Sequence, residues 1–156
     1  MKLRLLCIGK LNDWQQVAAL DYSRRLQHYF GYECLELKEE KGGRKDSPAH
    51  LVKREGERIL EKIGGAELVV ALDERGRSLT SEGLAGRLET DMIHGGRDWC
   101  LIIGGAYGLA AAVRERADLV LSLSKMTFTH QMARVFLLEQ LYRSATIIRN
   151  EPYHNR

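Results

Sequence analysis

Short apolar runs of strand length constrain this chain more than any other feature. They are Leu3 to Ile8, Glu67-Leu68-Val69-Val70-Ala71-Leu72 and Trp99-Cys100-Leu101-Ile102-Ile103. Runs this brief, with almost no polar alternation, suit strands covered on both faces, as in a parallel sheet. Segments of helical period stand between and beyond them: Trp14 to about Tyr29, Pro48 to about Ile63, Ser81 to Ile93, Val113 to Ala117 and His130 to about Ala145. A weaker extended run, Glu33 to Lys38, and a last short strand, Leu119-Val120-Leu121, complete the pattern. The alternation predicts an α/β domain built on a mostly parallel sheet flanked by helices.

Local punctuation agrees with these boundaries. Ser47-Pro48 reads as a helix N-cap followed by a first-turn proline, and Gly64-Gly65 as a stop. Glu39 to Asp46 is polar and glycine-containing and reads as a mobile, solvated loop. The last helix carries Met132, Val135, Phe136, Leu137, Leu138, Leu141 and Tyr142, an apolar surface wider than one stripe against a sheet requires. A second copy of the chain or a groove within one domain would cover the remainder.

With 156 residues the chain has the size of one domain, residues 1–156, able to bury a core without disulfides or metal. At 44% hydrophobic and 29% charged it has ordinary globular composition, and no apolar run reaches membrane-spanning length. The opening apolar stretch is too short for a signal peptide, so a cytoplasmic location is expected. Cys7, Cys34 and Cys100 form no C-x-x-C pair and read as buried free thiols. A formal net charge of +3 permits an anionic partner without requiring one. There is no H-E-x-x-H, no G-x-S-x-G and no His/Cys ligand set, so no metal is expected.

In open α/β sheets, ligands bind beyond the carboxyl ends of the strands. After Leu72 comes Asp73-Glu74-Arg75-Gly76; after Ile103, Gly104-Gly105-Ala106-Tyr107-Gly108; after Leu121, Ser122-Leu123-Ser124-Lys125-Met126-Thr127-Phe128. The glycines permit close backbone approach to a ligand, although a glycine turn after a strand is often only a turn. They match neither the dinucleotide nor the Walker pattern. The Leu123–Phe128 loop can wrap an adenine, reading its edge with backbone groups and covering its faces with Leu123, Met126 and Phe128. It can equally be a buried loop with Thr129 as the next helix cap. The tail from Arg149 to Arg156 reads either as a frayed end or as an aromatic and basic flap over RNA.

Three motifs in order, Ile102 to Leu109, Leu121 to Arg134 and Glu139-Gln140-Leu141-Tyr142-Arg143, with the closing Pro152-Tyr153-His154, resemble one family across the whole chain. It is the RlmH-type ribosomal RNA pseudouridine N3-methyltransferases, of the SPOUT class. The resemblance implies an α/β fold with a C-terminal trefoil knot, a homodimer, and S-adenosylmethionine held in the knot. It implies cofactor contacts from Leu72, Gly104, Leu123, Ser124, Lys125, Met126, Thr127 and Phe128, with Tyr153 and His154 at the substrate. Its substrate would be large-subunit (23S) ribosomal RNA, methylated on assembled ribosomes. Two positions depart from the family pattern: Thr129 stands where proline is usual, and Asn155 where a basic residue often follows the tail histidine.

On that reading, His154 accepts or relays the imide proton of the base while Tyr153 holds the base, or the two exchange roles. Arg24, Arg25, Lys41, Arg44 and Lys45 are candidates for phosphate contact, or simply a solvated face. Two other functional classes fit the residues less fully: a non-catalytic ribosome- or RNA-binding factor with a retained cofactor pocket, and a small-molecule methyltransferase or nucleotide-binding regulator.

Overall fold

The computed structural model describes residues 1–155; Arg156, part of the tail considered above, lies outside the described residues. The strands are β1 (Lys2–Ile8), β2 (Gly31–Leu37), β3 (Leu68–Ser78), β4 (Trp99–Ile103) and β5 (Leu119–Ser122). The helices are α1 (Asp13–Leu26), α2 (Pro48–Lys62), α3 (Ser81–Thr90), α4 (Ala111–Arg116) and α5 (His130–Ile148), with one π-helical turn, Asp91–Gly95, after α3. The five strands form one sheet in the order β2-β1-β4-β3-β5, and every pairing is parallel. No helix among the described residues is long and apolar enough to cross a membrane.

Alternate residues of the central strands feed two apolar layers. Leu3, Leu5, Val70, Trp99 and Leu101 meet Leu26 of α1, Leu84 and Leu88 of α3, and Leu137 and Leu141 of α5. Leu6, Ile8, Val69, Cys100 and Ile102 meet Ile59 of α2 and Val113 of α4. Both faces of β4 are buried along its whole length, which is why Trp99–Ile103 reads as an unbroken apolar run. The expected caps are present: the Ser47 hydroxyl accepts from the His50 amide at 3.2 Å, and Thr129 Oγ1 from the Met132 amide at 3.2 Å. Thr129 thus starts α5 as a cap.

Two local readings change, the end of β3 and the burial of Cys34. Strand β3 continues to Ser78, because after a bulge Arg77 and Ser78 pair again with Leu121 and Ser122 of β5. Backbone pairing of polar residues leaves no apolar signature, so the sequence pattern ended this strand at Leu72. Cys34 is exposed, because β2 is an edge strand whose outer positions no helix covers; Cys7 and Cys100 are buried. The Glu39–Asp46 loop is held on α2, where Arg54 approaches Glu40 at 3.5 Å and Asp46 at 3.6 Å and Arg58 pairs with Glu40. The wide apolar surface of α5 packs against both α1 and α3, leaving Phe136 exposed.

Candidate active site

The bulged middle of β3, the loops after β4 and β5 and the first turn of α5 enclose a cavity of about 720 Å³. That is within the range of small-molecule sites. Leu72, Gly104, Leu123, Ser124, Met126, Thr127 and Phe128 line it, joined by Asp73, Glu74, Arg75, Tyr107 and His130. Lys125 is exposed and lies outside the lining, and so do Tyr153 and His154.

The β4 end is shaped by backbone. Gly108 has φ +85°, and its amide donates to Gly105 O at 3.1 Å, closing the turn. A Cβ on Gly104 would lie 2.7 Å from Gly108 O, so the tight turn requires glycine there. Glu55 of α2 is buried beneath the turn, and a Cβ on Gly105 would fall 2.9 Å from its Oε1. Burial pushes the Glu55 carboxyl above its ordinary value, although the Glu40 amide donates to Oε2 at 3.1 Å.

The bulge of β3 brings an Asp73–Arg75 ion pair to the cavity wall. Asp73 accepts from the Arg75 amide at 2.9 Å and from Arg75 Nε and Nη2 at 3.0 Å. Bonds from the Arg75 guanidinium hold the Asp73 carboxyl below the usual carboxylate range, and Arg114 at 3.6 Å adds to this. The β5 loop is self-bonded: Ser122 Oγ donates to Ser124 O at 2.9 Å, and the Met126 amide donates to Ser124 Oγ at 3.0 Å. The Thr127 hydroxyl donates to Glu74, tying the β5 loop to the bulge of β3. Phe128 packs on Phe136 with ring centroids 5.0 Å apart.

The sequence placed His130 at the start of the last helix and inside the Leu121–Arg134 motif, without a site role. It lines the cavity beside Gly9, and burial lowers its pKa, favouring the neutral ring. Gly9, with φ +85°, follows β1, and a Cβ there would lie 3.3 Å from His130 Nε2.

The tail is docked, not frayed. Asn150, with φ 55°, ends α5 in a left-handed turn in which Glu151 donates its amide to Thr146 O at 2.9 Å. The chain then folds back so that Tyr153 meets Tyr142 edge-on at 4.7 Å and its hydroxyl donates to Glu139 Oε1 at 3.1 Å. Burial first, then bonding to Tyr22 and Glu139, pushes the Tyr153 phenol well above its ordinary value, so it stays protonated. His154 lies between Arg143 Nη1, 3.2 Å from Nδ1, and Glu82 Oε1, 2.9 Å from Nε2. Of the proposed phosphate contacts, Arg25 pairs with Asp21 at 2.9 Å and lies over the rings of Tyr22 and Tyr142.

Comparison with known proteins decides the family. Residues 1–154 match the family model described as "Predicted SPOUT methyltransferase". The chain belongs to the SPOUT methyltransferase family. A relative named Ribosomal RNA large subunit methyltransferase H, from Syntrophotalea carbinolica, is 55% identical over 157 residues, covering 100% of both chains. One of the same name from Pelobacter propionicus is 47% identical over 156 residues, covering 99% of this chain and all of the relative. Among solved structures, a probable methyltransferase from Bordetella pertussis Tohama I shares the fold with TM-score 0.56 at 14% identity, over 92% of this chain and 95% of that one.

Proposed function

We propose that this protein is an S-adenosylmethionine-dependent methyltransferase acting on large-subunit ribosomal RNA, at N3 of a pseudouridine in assembled ribosomes, in the cytoplasm. The observation that carries the reading is the strand-end cavity in a chain that matches ribosomal RNA methyltransferases along its full length. The residues present fit the cofactor. Leu123, Met126 and Phe128 offer apolar cover, Gly104 and Gly105 bring backbone to the cavity wall, and the Asp73 and Glu74 side chains place carboxyl groups there for a ligand bearing a sulfonium and an ammonium. Bound there, S-adenosylmethionine supplies an already activated methyl group.

The protein's tasks are then alignment and proton removal. Well-oriented reactants reach effective molarities of roughly 10⁵–10⁸ M, so positioning alone accounts for much of the acceleration. The imide proton at N3 requires an acceptor, and His154 takes that role while the protonated Tyr153 holds the base. Within one chain both residues sit on α5 and α3, outside the cavity lining. A homodimer in which the tail serves the second copy's cavity resolves that separation. Exposed Trp14, Val17 and Leu20 on α1 and Phe136 on α5 offer apolar surface for it. A trefoil knot formed by the C-terminal part of this single domain is what the family resemblance implies.

The test is methyl transfer from labelled S-adenosylmethionine to assembled ribosomes lacking the modification, with the labelled nucleoside identified by mass spectrometry. Label on N3 of a large-subunit pseudouridine is expected. A cofactor-binding dimer that transfers no label would instead indicate a non-catalytic ribosome-binding factor.

A further inference from the structure

The first turn of α3 and the middle of α5 form two walls of a slot that the tail histidine fills. Thr80 caps α3 by accepting from the Gly83 amide at 3.0 Å, and Ser81 Oγ donates to Gln140 Oε1 at 2.7 Å, which fastens this turn to α5. Glu82 follows, a carboxylate in the first turn, where the helix dipole favours one. On the α5 wall, Glu139 accepts from Arg143 Nε at 3.1 Å and also from Nη2, and the Arg143 guanidinium lies 4.7 Å from the Tyr153 ring centre. Both walls are therefore held before the histidine is considered. The half-buried His154 ring sits between them, with Nδ1 3.2 Å from Arg143 Nη1 and Nε2 2.9 Å from Glu82 Oε1.

These partners decide where the ring hydrogen lies. A guanidinium only donates, so Nδ1 is the accepting nitrogen; the hydrogen of the neutral ring is then on Nε2, which donates it to the Glu82 carboxylate. We infer that Glu82 is a positioning residue for methyl transfer, orienting His154 so that Nδ1 is the atom that accepts the imide proton of the target base. The inference rests on the proposed role of His154 as acceptor of that proton.

The two ring bonds differ in what proton transfer does to them. The N–H bond at N3 breaks, its electron pair stays on N3 to attack the methyl group, and the proton goes to the Nδ1 lone pair. Once protonated, Nδ1 can no longer accept from Arg143, so that bond, the longer of the two, is lost as the proton arrives. The bond from Nε2 to Glu82 persists and becomes one between a cation and an anion. Glu82 thus holds the ring before and after the transfer, the part that an orienting carboxylate plays beside a histidine base.

The experiment labels the histidine nitrogens of the full chain isotopically and records proton–nitrogen correlation spectra, with His154→Gln to assign the ring signals. The expected result is a ring N–H on Nε2 that exchanges slowly with water, kept in Glu82→Gln, whose amide oxygen still accepts, and lost in Glu82→Ala. On assembled ribosomes, Glu82→Ala should lower kcat roughly 10–100-fold, the scale of a misplaced reacting group, with KM for ribosomes and S-adenosylmethionine affinity changed less than about twofold. Glu82→Gln should restore kcat to within about fivefold of the unaltered chain, because a neutral acceptor keeps the orientation without the charge. A proton on Nδ1, or no protected ring N–H in the unaltered chain, would overturn the assignment without recourse to any variant. An equal loss of kcat and cofactor affinity in Glu82→Ala would overturn it as well, by making Glu82 merely structural. Full kcat in Glu82→Ala beside a loss in His154→Gln would overturn it and leave the role of His154 standing. Full kcat in His154→Gln would overturn that role and the inference with it.

Discussion

The strand-end cavity and the C-terminal tail are built on opposite principles. The cavity is shaped by backbone and apolar surface: a glycine turn at Gly104–Gly108, a self-bonded loop at Ser122–Met126, and one carboxylate, Asp73, fixed as an anion by Arg75. The tail is a network of ionisable and aromatic side chains in which Tyr153, Glu139, Arg143, His154 and Glu82 contact one another in that order. Backbone and apolar surface hold a ligand with little dependence on pH, whereas a clustered phenol, imidazole and guanidinium respond to protons and charge. On the proposed function, holding a ligand and moving a proton fall to different parts of the chain.

The largest expected effect tests that division directly. Alanine at Tyr153 or His154 should lower turnover on assembled ribosomes by roughly 10²–10⁴-fold, the usual scale for removing an acid–base group. Calorimetry should find S-adenosylmethionine affinity changed by less than about twofold, since uniform binding is left intact. A parallel loss of affinity would show that the tail belongs to the cofactor site.

Gly104→Ala should do the reverse. Its Cβ would meet Gly108 O at 2.7 Å, so urea unfolding should report a stability loss of roughly 1–3 kcal/mol. Cofactor affinity should fall about tenfold as the turn opens by the equivalent of one such contact. An unchanged affinity would remove the glycine turn from the binding surface.

Glu139→Gln sharpens the tail side. It weakens the bonds from Tyr153 and Arg143 without emptying the space, and should cost about 0.5–1.5 kcal/mol in thermal unfolding. Turnover should change while cofactor binding does not; an equal effect on both would contradict the division.

The smallest effect is a pH dependence within the cavity. Burial lowers the folded-state pKa of His130, so the unfolded chain binds this proton more readily. Its contribution to stability is complete above the unfolded value of about 6.5 and is lost as pH falls toward the folded value. Denaturant titrations of His130→Gln should show a shallower loss of stability below neutrality than the parent chain. Identical slopes would mean that His130 is solvated.

Much of the fold was legible because buried parallel strands must be apolar on both faces. The Trp99–Ile103 run coincides with β4, and Ser47 and Thr129 mark the starts of α2 and α5. The strand-end rule also directed attention to Leu72, Gly104 and the Leu123–Phe128 loop, and all but Lys125 of these candidates line the cavity. Lys125 lies in the same loop, and a side chain in an exposed loop can point outward without any change in sequence pattern. Glu55 and His130 were missed because their places depend on α2 and β1 meeting the glycine turn, contacts between segments far apart in the chain.

The sequence by itself determined the alternation of strands and helices, the capping residues and the loops that follow the strands, because each follows from short-range sterics and from burial along one element. Tertiary structure decided the order β2-β1-β4-β3-β5, the renewed pairing of β3 at Arg77, the exposure of Cys34 on the edge strand and the docking of Tyr153 against Tyr142. These depend on which distant segments become neighbours, and that choice is made by the packing of the whole chain and not by the residues beside each position.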